Sequence, residues 1–287
     1  MSSLPHYILT LSCHDVRGIV ASVSDFLARH GGFIIESAQF GDASTGRFFM
    51  RTEFTLEDAA LSRAQLGERF AQEIAERFGM QWQLYDKAAK ARVLILVSQH
   101  GHCLNDLLHR AESGTLPIDI VGVASNHEQF KERVEWHGIG FHYLPITQGD
   151  KAAQEASLEA LIERTQADVV VLARYMQILS PALCAKLAGR AINIHHSFLP
   201  SFKGARPYHQ AFDRGVKIIG ATAHYVTSDL DEGPIIEQEI ARVDHATAPE
   251  ELVALGRDIE CVVLARALKY HTEHRVLLNG IKTVIFK

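Results

Sequence analysis

Residues 92–105 read RVLILVSQHGHCLN, and the architecture follows from this stretch. Five consecutive apolar residues, Val93–Val97, require burial on both faces of a strand, and the Gly101 turn after them leads into a helix near Leu104–Ser113. The alternation continues with a strand at Ile118–Ala124, a helix at Glu128–His137 and a strand at Phe141–Leu144. A helix at Lys151–Thr165 and strands at Val169–Leu172 and Arg190–His195 follow. Uniformly apolar strands separated by helices predict a Rossmann-like, mostly parallel α/β sheet covered on both faces. At the end of the chain, Val276–Leu278 and Lys282–Phe286 flank Asn279-Gly280, a strong hairpin signal.

Residues 6–87 follow a different rhythm. His6–Ser12 alternates as a strand, and Asp15 and Gly18 mark a loop into the helix Ile19–Arg29, which ends at His30-Gly31-Gly32. Phe33–Gly41 and Arg47–Phe54 are strands around a turn at Asp42–Gly46. An amphipathic helix at Ser62–Phe78 and a strand at Met80–Tyr85 complete a βαββαβ order, a ferredoxin-like layer of helices on an antiparallel sheet. The polar joint Lys87-Ala88-Ala89-Lys90 divides the chain into domains of residues 1–87 and 88–287.

The 287 residues are 47% hydrophobic and 22% charged, which excludes disorder, collagen and a disulfide-dense scaffold. A net charge of −5 offers no basic footprint, so neither nucleic acid nor a membrane surface is expected as a partner. Cys13, Cys103, Cys184 and Cys261 lie far apart with no zinc-type spacing, which predicts no metal and a reducing compartment. No signal-peptide pattern opens the chain and no apolar run spans a bilayer, so a soluble, cytoplasmic protein is expected.

The densest polar segment is Ala191-Ile192-Asn193-Ile194-His195-His196. Asn193 and His195 are two residues apart and so share a strand face, at the C-terminal end where open α/β sheets place ligands. An amide N–H beside an imidazole suits a developing oxyanion, although the pair would serve equally to hydrogen-bond a neighbouring loop. A second segment carries Asp229, Asp231 and Glu232 on a turn after the strand Lys217–Val226. Such a turn is either a solvated loop or a means of holding one acid near His195. His196, His209 and His224, with Gly220 on the preceding strand, are candidates to line the same place.

The run INIHHSFLPSFKGARPYHQAF (192–212), followed by TAHYVTSDLDEGPII (222–236), resembles the 10-formyltetrahydrofolate-dependent formyltransferase family over most of residues 91–287. The resemblance implies that Asn193, His195 and Asp231 are catalytic. It implies that the segment with Arg174, Met176, Gln177, Ile178 and Leu179 holds the pterin ring of the folate, and that Val226, Asp229 and Leu230 close the other side of that pocket. The N-terminal βαββαβ unit, with Asp15 and Gly18 before its first helix, resembles an ACT domain. That implies a homo-oligomer (dimer or tetramer) and an amino-acid effector, glycine first and methionine next, near Asp15 and Gly18; a purely structural dimerisation module is the alternative.

This pair of domains is similar to the arrangement of the family's hydrolytic members, which cleave the linear amide C–N bond of 10-formyltetrahydrofolate to give formate and tetrahydrofolate. They thereby supply formate for purine synthesis and balance the one-carbon pool. Members that formylate a phosphorylated amine carry a small-residue loop after the first strand, whose N–H groups receive the phosphate. Here Gln99, His100 and His102 occupy that stretch and hinder close backbone approach, although histidine side chains can also bind anions. In the implied mechanism His195 and the Asn193 amide stabilise the oxyanion, Asp231 favours charged His195 and accepts the proton from water, and no cofactor is used. The alternatives are a formyltransferase with an amine acceptor and a non-catalytic folate or amino-acid sensor.

Overall fold

The computed structural model describes residues 4–57, 61–146, 150–199 and 207–287. The chain divides into two compact units. In the first, apolar–polar alternation makes β1 (His6–His14), β2 (Gly32–Asp42), β3 (Arg47–Leu56) and β4 (Gln81–Asp86) two-faced. They pair antiparallel in the order β2-β3-β1-β4. Leu9, Leu11, Met50 and Phe54 pack one face against Phe26 and Leu27 of α1 (Ile19–Arg29) and Leu66 and Phe70 of α2 (Arg63–Phe70). The helix expected over Ser62–Phe78 starts at a Ser62–Gln65 capping box and continues through a π turn, Ala71–Ala75, into α3 (Glu76–Phe78).

The other face of this sheet is covered by the end of the chain. Phe49 and Ala38 pack with Leu277, Val284 and Phe286, and the ring of His274 stacks on Tyr85 at 3.4 Å between centroids. Arg51, buried in β3, donates to Glu36 at 2.9 Å, to Glu53 at 3.2 Å and to the carbonyl of Glu273. Arg275 donates to Glu36 and to the carbonyl of Phe286. A buried guanidinium is tolerable because its N–H groups have these acceptors. The division at residues 87 and 88 is therefore corrected. The first unit is Met1–Ala89 with Glu273–Asn279 and Val284–Lys287, and the second is Lys90–Thr272 with Gly280–Thr283. Composition located the joint to within two residues. The return of the tail has no local signature, because Arg51 and Glu273 are 222 positions apart.

The second unit holds β5 (Ala91–Val97), α4 (His102–Glu112), β6 (Ile118–Ser125), α5 (Lys131–Trp136), β7 (Phe141–Tyr143), α6 (Lys151–Thr165), β8 (Val169–Leu172), α7 (Pro181–Lys186) and β9 (Ala191–His195). Then come α8 (Pro207–Asp213), β10 (Ile218–Tyr225), β11 (Ile235–Arg242) and α9 (Pro249–Thr272), and the chain closes with the hairpin β12 (Val276–Asn279) and β13 (Lys282–Ile285). The sheet order is β11-β10-β9-β8-β5-β6-β7, parallel from β9 to β7 and antiparallel at β10 and β11. Val93–Val97 are fully buried in its centre, as their apolar run requires. The chain runs outward from β5 to β6 and β7 on one side and to β8 and β9 on the other. The order therefore reverses between β5 and β8, the switch point at which such sheets open a crevice.

Phe286→Ala would leave Phe49 without one side of its cluster. The expected loss is about 3 kcal/mol in urea unfolding. A change below about 0.5 kcal/mol, the range of ordinary surface substitutions, would show that the tail does not hold the sheet.

Candidate active site

The crevice is built by the segments that leave β5, β8 and β9 at their C-terminal ends. Ser98, the buried residue after β5, donates to Asn126 at 2.7 Å, accepts the Met176 N–H at 3.1 Å and gives its own N–H to the carbonyl of Arg174. That pins the chain beyond β8, where Arg174 adopts a left-handed φ of 63°. Tyr175 and Leu179 turn into the core, while Met176 and Ile178 stay more than half exposed. Exposed apolar side chains on a rigid backbone are suited to a flat, largely apolar ligand.

On β9, Asn193 sits opposite His224 of β10, and His195 opposite Thr222. His224 Nδ1 donates to the Tyr225 carbonyl at 2.9 Å, which leaves Nε2 to accept from Asn193 Nδ2 at 3.2 Å. One Asn193 N–H is thus spent on orientation and the other remains for a ligand. His195 Nδ1 lies 3.1 Å from Asp231 Oδ1, and Nε2 lies 2.8 Å from Ser197 Oγ. His224 Nε2 is 3.7 Å from the same Asp231 oxygen. Burial opposes ionisation of Asp231, but contact with His195 outweighs it and holds the carboxyl well below the usual carboxylate range.

Asp231 reaches His195 from the loop between β10 and β11 with a left-handed φ of 59°. The loop is tied by Thr227 and Glu232 to the carbonyl of Asp229, and by Tyr225 N–H to the carbonyl of Pro234. Gly233 is required there, since a Cβ would fall 1.7 Å from the Tyr225 oxygen. His196 packs edge-on to His195 with centroids 5.0 Å apart, and burial together with the Arg174 charge pushes it down to about 4, so it is neutral.

These groups open onto a cavity of about 630 Å³. Asn193, His195 and Asp231 line it, as do Arg174, Met176, Gln177, Ile178, Leu179, Val226, Asp229 and Leu230, all expected from the sequence. His196, His209 and His224 line it too. Gly220 does not line it and is corrected: it lies on β10 where β11 approaches, and a Cβ would sit 2.4 Å from the Glu239 carbonyl. Residues 200–206 of the quoted motif lie outside the described residues. In the first unit, Gly18 has a left-handed φ of 93° at the start of α1, and Asp15 lies beside Gly41.

The cavity residues that were not singled out from the sequence include Tyr208, Arg257 and Glu260. Glu260 is 1% exposed, takes a hydrogen bond from Tyr208 at 2.8 Å and contacts His102 Nε2 at 2.7 Å. A ring nitrogen of His102, Cys103 Sγ and a Glu260 oxygen lie within 4.8 Å of one another, a set with the donors for a metal ion. The Arg174 guanidinium, 3.5 Å from the same carboxylate, makes the spot unfavourable for a second cation.

Residues 91–268 match the formyl transferase family model. A formyltetrahydrofolate deformylase from Corynebacterium sp. (strain P-1) is 53% identical over 287 residues, covering all of both chains. The chain belongs to the formyltetrahydrofolate deformylase family. The solved structure of the deformylase from Burkholderia mallei superposes with a TM-score of 0.94 at 54% identity, covering 99% of this chain and 100% of that one. A glycinamide ribonucleotide transformylase from Symbiobacterium toebii matches less of it: TM-score 0.66, 28% identity, 69% of this chain and 95% of the other. Deformylase relatives thus match both units, and the transformylase covers a length close to that of the second unit alone.

Asp231 ionises below its ordinary value of 3.8 in the folded chain, so its pairing with His195 stabilises the fold above about pH 4 and that contribution fades as pH falls further. Asp231→Asn is therefore expected to lower Tm by a constant amount from about pH 5 to 7, with the gap closing below about pH 4. A gap that persisted at lower pH would show that the carboxylate charge carries no stability.

Proposed function

We infer that the chain hydrolyses 10-formyltetrahydrofolate to formate and tetrahydrofolate. The observation that carries this is the convergence of Asn193, His195 and Asp231 in one cavity with an apolar rim, in a chain whose relatives are deformylases over their full length. The folate lies against the Arg174–Leu179 segment and the Val226–Asp231 loop, with the formyl carbon facing β9. Water attacks that carbon, the C–N bond to the folate breaks, and the folate nitrogen takes a proton.

The free N–H of Asn193 donates to the developing oxyanion. His195 is the second donor, through Nε2, with the Ser197 hydroxyl giving way to the oxyanion. Asp231, ionised throughout the neutral range, pairs with His195 and takes the proton from water. This chemistry uses no metal or other cofactor. The reading is of a cytoplasmic enzyme that supplies formate for purine synthesis; no helix among the described residues is long and apolar enough to cross a membrane.

For the first unit the reading is an ACT-like regulatory module in a homo-oligomer. The tail covers part of its open sheet face, and Phe33, Ile35 and Phe40 on the edge strand β2 remain exposed for a second copy. Glycine or methionine would bind near Asp15 and Gly18, where an acid and a helix start lie together. Asp15→Ala in the full chain is expected to abolish the response of formate release to these amino acids. An unchanged response would move the effector site elsewhere.

The deciding assay for the reaction is formate release from 10-formyltetrahydrofolate without any added amine. Asn193→Ala should lower kcat by about 10²–10³, the usual cost of one oxyanion donor. Asp231→Asn should nearly abolish turnover while leaving folate affinity within about threefold, because it removes the charge and keeps the shape. Activity close to that of the native enzyme in Asp231→Asn would assign proton acceptance to another group.

A further inference from the structure

The cavity has two unlike sides. One is the apolar rim of Met176, Ile178 and Leu230; the other is polar and centred on Glu260. Burying a carboxylate costs several kcal/mol unless its oxygens are satisfied, so an apolar residue would have filled this position on α9 more cheaply. Here Oε1 takes the Tyr208 hydroxyl at 2.8 Å, Oε2 meets His102 Nε2 at 2.7 Å, and Arg174 Nε stands 3.5 Å from Oε2. The three partners come from α8, the first residue of α4, and the chain after β8.

Two backbone features contribute to this arrangement. Gly256 lies one helical turn before Glu260, and a Cβ there would fall 2.1 Å from the Tyr208 ring, so glycine lets the tyrosine lie flat on α9. The left-handed φ of Arg174 is uncommon for a bulky residue, and the guanidinium it presents returns to Glu260. The wall also adjoins the reacting centre. His196 packs on His195 and feels the charges of both Arg174 and Glu260. Arg174 Nε and His196 Nδ1 are buried and have no hydrogen-bond partner among the described residues.

We propose that Glu260, with His102, Tyr208 and Arg174 fastened to it, is a specificity-determining wall that reserves the acceptor side of the cavity for water and keeps amines from the formyl carbon. This rests on the hydrolase reading. An amine attacks the same carbon and breaks the same C–N bond, leaving an N-formyl product in place of formate. The choice is therefore made by which nucleophile fits beside His195. Charge-assisted hydrogen bonds on both carboxylate oxygens hold the wall rigid against a larger nucleophile. Glu260 acts through its partners and is a positioning residue.

The test uses the full chain with 10-formyltetrahydrofolate and an excess of glycinamide as the amine probe, measuring formate and N-formylglycinamide separately. The wild type should give formate with less than about 1% formylated amine. His102→Ala and Glu260→Gln should raise the formylated share at least about tenfold, with Glu260→Gln also lowering kcat about tenfold while the KM for the folate stays within about threefold. Tyr208→Phe, which keeps the ring packing, should shift the partition in the same direction by about threefold and decides the matter if Glu260→Gln does not fold. Hydrolysis by the wild type with an unaltered partition in these folded variants would overturn the wall and leave the hydrolase reading standing. Formylated amine as the main wild-type product would overturn both.

Discussion

The contact between Asp231 and His195 is the point on which the site turns, and it is made by backbone as much as by charge. Asp231 is held in a left-handed conformation by a loop whose Asp229 and Pro234 carbonyls have their donors, and Gly233 is the residue that lets the loop close on Tyr225. The carboxylate is thereby committed to His195 at 3.1 Å, with His224 Nε2 at 3.7 Å. His224 in turn directs the Asn193 amide. The loop therefore sets the ion pair of His195, while the Tyr225 carbonyl at the end of β10 sets His224 and through it the aim of the amide. Preorganisation of this sort lets donors stabilise developing charge without rearranging at the moment of reaction.

The sheet explains why these groups meet at all. The reversal of strand order between β5 and β8 opens the crevice, Ser98 ties its two lips together, and the antiparallel pair β9/β10 brings His224 opposite Asn193. The hydrogen bonds that position the polar groups come from strands or from loops pinned to strands. Only the apolar rim, with Met176, Ile178 and Leu230 more than half exposed, is free to adjust to what it receives. A rigid polar centre with a compliant apolar mouth suits a ligand large at one end and reactive at a single atom.

Much of this was legible from residues alone, and the failures have a common cause. The buried strands of the central sheet announced themselves because an apolar run of five residues has few other uses, and the period-two spacing of Asn193 and His195 placed them on one face. The helix Pro249–Thr272 was not anticipated. It touches β9, β10, β11, α4 and α8, so apolar residues appear on several of its sides and no single stripe marks it. Glu260 is hidden for the same reason: its partners lie at positions 102, 174 and 208, and nothing in the local sequence separates it from a solvated helix acid. Gly220 was misplaced because a glycine required by a neighbouring strand looks the same, in sequence, as one required by a ligand.

The two ends of the chain belong to one folding unit, and this has a consequence for how the protein is made. On the ribosome, β1 to β4 emerge first and can pack their helices, but Phe49 and Arg51 face a side that stays open until residues 273–287 arrive. Those residues come roughly 190 positions later, which at 5–20 residues per second is about ten to forty seconds of synthesis. During that interval the nascent chain displays an apolar strand face and a guanidinium that still lacks the Glu273 carbonyl. The early unit therefore completes its packing only once residues 273–287 have been translated.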